Sequence, residues 1–293
     1  MVGRAFFLPL QRWEEDPMKR IITIQDISCV GKCSLTVALP IISAAGVEAA
    51  VLPTAVLSTH TAFPKFTFRD LTDEMQPIAD TFCELGLDFD AIYTGYLGSL
   101  EQIELVERFF ATFQTGETTI LIDPVMADHG QLYHGFTQEF ADRMAALCGK
   151  ADLVLPNLTE ASFMLHVPYR EEYDEAYIRH VLVKLTELGA KRAAITGVSF
   201  RQDEIGFCLY DAQTGEFSSY FNRRLPASFH GTGDVFASAT LGAYMRGLSF
   251  TDALMVATDY TLECIRLTML DPNPRSYGVN FEQALPMLMG RLP

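Results

Sequence analysis

Short apolar runs alternate with longer amphipathic stretches along most of this chain. Residues 21–25 read as a strand buried on both faces, 34–45 as a helix closed by Gly46, and 47–52 as a second strand. A chain that opens β-α-β builds a parallel sheet. The rhythm continues with a helix at 71–85, a strand at 91–94, a helix at 101–113 and a strand at 119–122. A helix at 137–148, a strand at 153–155, a helix at 172–188 and a strand at 192–196 follow. Segments 205–210 and 216–221 read as an antiparallel pair about the turn 211–215. Helices at 234–246, 251–267 and 281–289 complete the pattern. The stretch 54–68 departs from it. Its β-branched and aromatic residues, with Pro64 inside, predict a flap or a pair of edge strands.

The expected architecture is one α/β domain with five or six parallel strands and an antiparallel edge, spanning 18–293. Residues 1–17 look unlike the rest and are expected to be a leader, either disordered or an upstream extension, with Met18 as the natural start. No apolar run reaches membrane-spanning length. The formal net charge of −15 argues against nucleic acid or an anionic membrane as partner. It leaves room for a phosphate ligand, which backbone N–H groups and a metal can bind locally. Six cysteines are scattered among apolar stretches, and no second Cys/His pair joins Cys29 and Cys33 in a zinc pattern. Buried, reduced thiols and a cytoplasmic location are expected.

Candidate chemistry gathers at strand ends, where parallel sheets bind their ligands. Asp26, Thr54, Gly95-Tyr96, Asp123, Asn157 and Thr196-Gly197 all stand there. Gly31-Lys32-Cys33-Ser34 fails as a P-loop, because Asp26 stands where glycine is required and Cys33 follows the lysine. A helix start capped by Ser34 or by an upstream polar residue is the better reading. Asp123 either caps the next turn or holds Mg²⁺, which needs only one or two carboxylates. Asn157 and Glu160, three apart at a helix start, either cap that helix or face a metal–phosphate together. The stretch from Phe229 to Ala239 is the anchor of the whole pattern. Gly231 and Gly233 permit backbone geometry denied to other residues, and the helix start behind them suits a phosphate. A carboxylate is out of place beside an anion unless it serves as a general base, and Asp234 is such a carboxylate. The alternative is that Thr232 or Asp234 simply caps a core helix.

These residues occur in a recognisable order. Leu52-Pro53-Thr54-Ala55-Val56-Leu57-Ser58-Thr59-His60, Thr94-Gly95-Tyr96, Asp123-Pro124-Val125-Met126, Pro156-Asn157-Leu158-Thr159-Glu160 and Gly231-Thr232-Gly233-Asp234 together resemble the vitamin B6 kinases, pyridoxal/pyridoxamine kinase, of the ribokinase-like superfamily. The resemblance covers Met18 to the C-terminus. It implies a three-layer α/β/α sandwich, with a mostly parallel central sheet and an antiparallel edge, that transfers the γ-phosphoryl group of ATP to the 5′-hydroxymethyl group of a B6 vitamer. It implies Asp234 as the base and the Gly231–Gly233 amides as the anion hole. Asp123 and Glu160 would hold Mg²⁺. Asn157, Thr196, Gly197 and Thr232 would meet the nucleotide. Asp26, Thr54 and Tyr96 would line the pyridine pocket, joined by His60 of the flap. ATP and Mg²⁺ are the implied cofactors, with a monovalent cation left open, and a homodimer is the implied assembly. Asp26 stands where many B6 kinases carry serine, and Leu155 where some relatives carry threonine. The rival functions are hydroxymethylpyrimidine kinase of thiamine synthesis and a non-catalytic B6-binding protein. The single glycine of Asp26–Ser34 counts against the first, and the joint presence of Asp234, Asn157 and Glu160 against the second.

Overall fold

Alternation of apolar side chains makes the sheet two-sided. In β1 (Arg20–Ser28), Ile22 and Ile24 join one buried cluster while Ile21 joins another on the opposite face. The computed structural model describes residues 18–293, so the expectation for 1–17 lies outside the described residues. Beside β1 lie β2 (Glu48–Leu57), edged by the short β3 (Phe68–Asp70), and β4 (Ala91–Thr94). Then come β5 (Thr119–Ile122), a two-residue hairpin of β6 (Ala127–Asp128) and β7 (Gln131–Leu132), and β8 (Leu153–Val154). β9 (Arg192–Val198), β10 (Glu204–Asp211) and β11 (Glu216–Arg223) complete the set. The nine-stranded sheet runs β11-β10-β9-β8-β5-β4-β1-β2-β3. The strands from β9 to β2 are parallel, and β3, β10 and β11 are antiparallel.

Helices cover both faces. α1 (Leu35–Ala44), α7 (Thr232–Met245), α8 (Phe250–Leu270) and α9 (Phe281–Met289) bury one face around Ile42, Leu241 and Leu254. α2 (Thr72–Glu84), α3 (Leu100–Phe113), α4 (Gln138–Cys148), α5 (Leu158–Met164) and α6 (Glu175–Glu187) bury the other around Met75, Ile103, Phe140 and Ile178. This is the expected three-layer sandwich with six parallel strands.

Several details correct the sequence reading. The sheet has two antiparallel edges, because the first residues of 54–68 extend β2 and the chain pairs back from its last residue, Phe68, through Asp70 as β3. The β6–β7 hairpin was not anticipated. The helix expected at 172–188 begins at Glu175, where Asp174 accepts a hydrogen bond from the Tyr177 N–H. The strand expected to stop at Gly197 runs on to Val198, because Gly197 at φ 71° forms a bulge against β10. Cys29 and Cys83 are exposed, while the other four thiols are buried. Among the described residues, no helix is long and apolar enough to cross a membrane.

Candidate active site

Six parallel strands put six C-terminal ends along one rim. In spatial order the rim carries Thr54 on β2, Asp26 on β1, Tyr96 after β4, Asp123 after β5, Asn157 after β8 and Thr196 on β9. At the usual strand separation that row is about 24 Å long. Residues scattered over more than half the chain therefore become one line.

A bulge aims the first members of that line. Gln25 pairs with Pro53 and Ile27 with Val56, so Thr54 and Ala55 both lie opposite Asp26. Thr54 is fully buried, and its hydroxyl donates to the Tyr96 carbonyl at 3.3 Å. Asp26 is buried too, and the Ser28 hydroxyl donates to its Oδ2 at 3.0 Å. Burial pushes the Asp26 carboxyl above its ordinary range, while contacts from Ser34 and Ser28 pull the other way. Burial, with Asp26 nearby, also raises the Tyr96 hydroxyl, whose ring lies 5.8 Å from that of Phe136.

Acidic groups crowd the middle of the row. Asp123 is buried beside Glu160 and Asp234, and desolvation followed by their charges holds its carboxyl well above the usual range. Desolvation raises Glu160 as well, against the backbone N–H groups of Met126 and Asn157 that donate to it at 3.1 and 2.8 Å. Asp234 lies half-buried in the first turn of α7. Burial pushes it up to about 7, opposed by the backbone N–H of Ser34 and assisted by Asp26. A carboxylate of that basicity suits proton acceptance near neutral pH.

The turn before α7 carries no side-chain cap. Gly231 adopts the left-handed conformation at φ 79°, and any Cβ there would collide with the Lys32 carbonyl oxygen. Thr232 turns its hydroxyl back to the Phe229 carbonyl at 3.2 Å. A carboxylate oxygen of Asp123 is 3.8 Å from where a Cβ of Gly233 would stand. The loop that meets this turn holds a residue the sequence reading misassigned. Ser34 precedes α1 but makes no capping bond, and it sits at φ 50° and ψ −136°, a costly backbone for serine. Its hydroxyl faces Asp26 and its N–H faces Asp234 instead. No pattern in the sequence marks Ser34 for this position, because its partners arrive from β1 and α7.

His60 is the buried residue of the flap's tip. Its Nδ1 accepts from the Ala62 N–H at 3.2 Å, which leaves Nε2–H to donate to the Tyr277 carbonyl at 3.2 Å. Its ring packs 4.4 Å from His230 and 4.8 Å from Phe63. Burial lowers both histidines below their ordinary pKa, consistent with the neutral tautomer. His230, next to Gly231, escaped the sequence reading. At the other end, Asn157 and Glu160 form a capping box at α5, and the Asn157 amide also donates to the Ala127 carbonyl at 2.8 Å. Thr196 bridges Asn157 across the strand ends, with Gly197 beside it. The substrate and nucleotide residues expected from the sequence therefore occupy opposite ends of the row, with Asp123 near its middle. Among the described residues, no group of three or more His, Cys, Asp or Glu forms a metal cage.

Fold and site together define a ribokinase-like phosphotransferase. The phosphomethylpyrimidine kinase profile matches residues 39–280, and the chain belongs to that family. It is 38% identical to a candidate phosphomethylpyrimidine kinase from Bacteroides thetaiotaomicron solved with pyridoxal, at a TM-score of 0.89 over 93% of this chain and 96% of that one. It is 30% identical to the pyridoxal kinase of Lactobacillus plantarum, at a TM-score of 0.86 over 94% of this chain and 98% of that one. A pyridoxal kinase from Dictyostelium discoideum is 22% identical over 245 residues, 78% of each chain.

Proposed function

We propose that this chain transfers the γ-phosphoryl group of ATP to the hydroxymethyl group of a B6 vitamer. The observation that carries this reading is the basic, half-buried Asp234 beside an α7 N-terminus that no side chain seals. Phosphoryl transfer asks a protein for in-line positioning and charge neutralisation more than for covalent work. Asp234 takes the proton of the substrate hydroxyl. The Gly231, Thr232 and Gly233 amides receive the charge on the phosphoryl oxygens. Thr54, Asp26, Tyr96 and His60 hold the pyridine, and Thr196, Gly197, Asn157 and Thr232 meet the nucleotide. The flap keeps water from the phosphoryl group.

Asp123 and Glu160 fit Mg²⁺. Both are hard oxygen donors, both are buried, and neither has a lysine or arginine in an ion pair with it among the described residues. An ion held mostly by water and phosphate needs no protein cage. When bound, it neutralises phosphate charge. A homodimer joined at the flap belongs to the same reading, favoured by exposed Phe68 in edge strand β3 and exposed Phe66 just before it. Sedimentation of the free protein checks it.

The family's description keeps the pyrimidine kinase as second reading. Assays with Mg²⁺-ATP on pyridoxal, pyridoxamine, pyridoxine and hydroxymethylpyrimidine separate the two. The expected result is turnover on B6 vitamers that falls about 1,000-fold or more in Asp234→Asn, with the fold retained. Turnover on the pyrimidine alone would move the activity to the second reading. Wild-type rates in Asp234→Asn would remove the base. Tight B6 binding with no turnover would make the chain a binding protein.

A further inference from the structure

Asp26 is a buried carboxylate without a cation. Its exposure is 5%, and among the described residues it makes no ion pair. The groups that face it are Ser28, Ser34, Cys33, His60, Tyr96 and Asp234. None of these is a lysine or arginine, and His60 is held in a neutral tautomer. Arg20 and Lys32, the nearest basic residues in sequence, are engaged elsewhere: Arg20 pairs with Glu48 at 3.1 Å, and Lys32 points its ammonium at Glu282 and Asn280, at 2.8 and 3.3 Å. Two hydroxyls soften the burial of Asp26 but do not balance its charge. An unbalanced carboxylate this deep is costly unless a ligand supplies the counter-charge. The bulge opposite Thr54 places Asp26 on the rim between Thr54 and Tyr96.

We infer that Asp26 reads the ammonium of an aminomethyl substituent, so that pyridoxamine is the preferred substrate of this site. The inference rests on the proposed B6 kinase activity. The B6 vitamers differ at one ring substituent, which is an aldehyde, an alcohol or an amine. Only the amine carries a positive charge at neutral pH. The ring nitrogen is common to all three, so a carboxylate serving it would not discriminate.

The test compares kcat/KM for pyridoxamine and pyridoxine, with Mg²⁺-ATP, in wild type, Asp26→Asn and Asp26→Ser. Calorimetric binding of the two vitamers without ATP runs alongside, and urea unfolding shows that each variant is folded. Wild type is expected to prefer the amine at least about tenfold, and the amine-to-alcohol ratio is expected to fall about 30-fold in both variants, mostly through KM. The binding ratio should fall in parallel. Wild-type indifference between the vitamers overturns the inference while leaving the kinase reading intact. So does an equal loss on both in the variants, which would assign Asp26 to the ring or the fold. Neither turnover nor binding of any vitamer by wild type would sink the B6 reading and this inference with it.

Discussion

Two helices begin on the same rim, and their first turns are finished in opposite ways. At α5, Asn157 Oδ1 accepts from the Glu160 N–H at 2.9 Å while Glu160 Oε2 accepts from the Asn157 N–H at 2.8 Å. At α7, Gly231 offers no side chain, and Thr232 turns its hydroxyl away. Every helix start leaves backbone N–H groups without intrahelical partners. The first helix satisfies its own with side chains and gains stability. The second leaves them without a side-chain partner and places beside them a carboxylate whose charged form the site disfavours. The difference teaches that one local motif serves structure or chemistry according to which side chains are withheld.

The sharpest way to break this contrast is to give α7 a side chain. Gly231→Ala sets a Cβ against the Lys32 carbonyl in a left-handed backbone, and turnover is expected to fall about 100-fold. Near-wild-type kcat in the folded variant would show that the open turn is not needed. A smaller effect lies in the cost of Asp234. Its folded pKa of about 7 lies above its ordinary 3.8, so its contribution to stability is full below pH 3.8 and is lost as pH rises through 7. Asp234→Asn removes that loss. Its unfolding free energy, followed by urea titration from pH 4 to pH 8, should gain about 2 kcal/mol on wild type. A difference that stays flat with pH would mean that burial does not strain the carboxylate. The smallest effect belongs to α5. Asn157→Ala should cost about 1 kcal/mol, and Asn157→Ser, which keeps a capping oxygen but not the amide that donates to Ala127, should restore part of it. If both variants match wild-type stability, the cap is not what holds this turn.

Much of the fold was legible because buried strands need apolar runs. Ile21 to Ile24 and Ala91 to Thr94 could be read directly. The two residues of β6 or β7 are too few to carry a period, so their hairpin was invisible. Asp26, Thr54, Tyr96, Asp123, Asn157 and Thr196 were legible as strand ends, yet their order along the rim follows from pairing across the sheet. Asn157 and Glu160 showed their capping spacing in the sequence, and the box is formed. Ser34 was read as a cap because its neighbours in sequence suggest one. Its actual partners, Asp26 on β1 and Asp234 on α7, meet it only when the loop before α1 packs between that strand and that helix.

The contact between Gly231 and the Lys32 carbonyl has a consequence for how the protein is made. The two sides of this contact are separated by about 200 residues, so at ordinary ribosomal speed roughly 10–40 s pass between their syntheses. Throughout that interval, β1 and the loop ending at Ser34 exist without the turn that completes them. A nascent chain released before α7 can carry Asp26, Asp123 and Glu160, but not Asp234, the proposed base. With Asp234 as the proposed base, activity switches on late in translation, when the last fifth of the polypeptide docks, and a ribosome stalled upstream yields only an inert fragment.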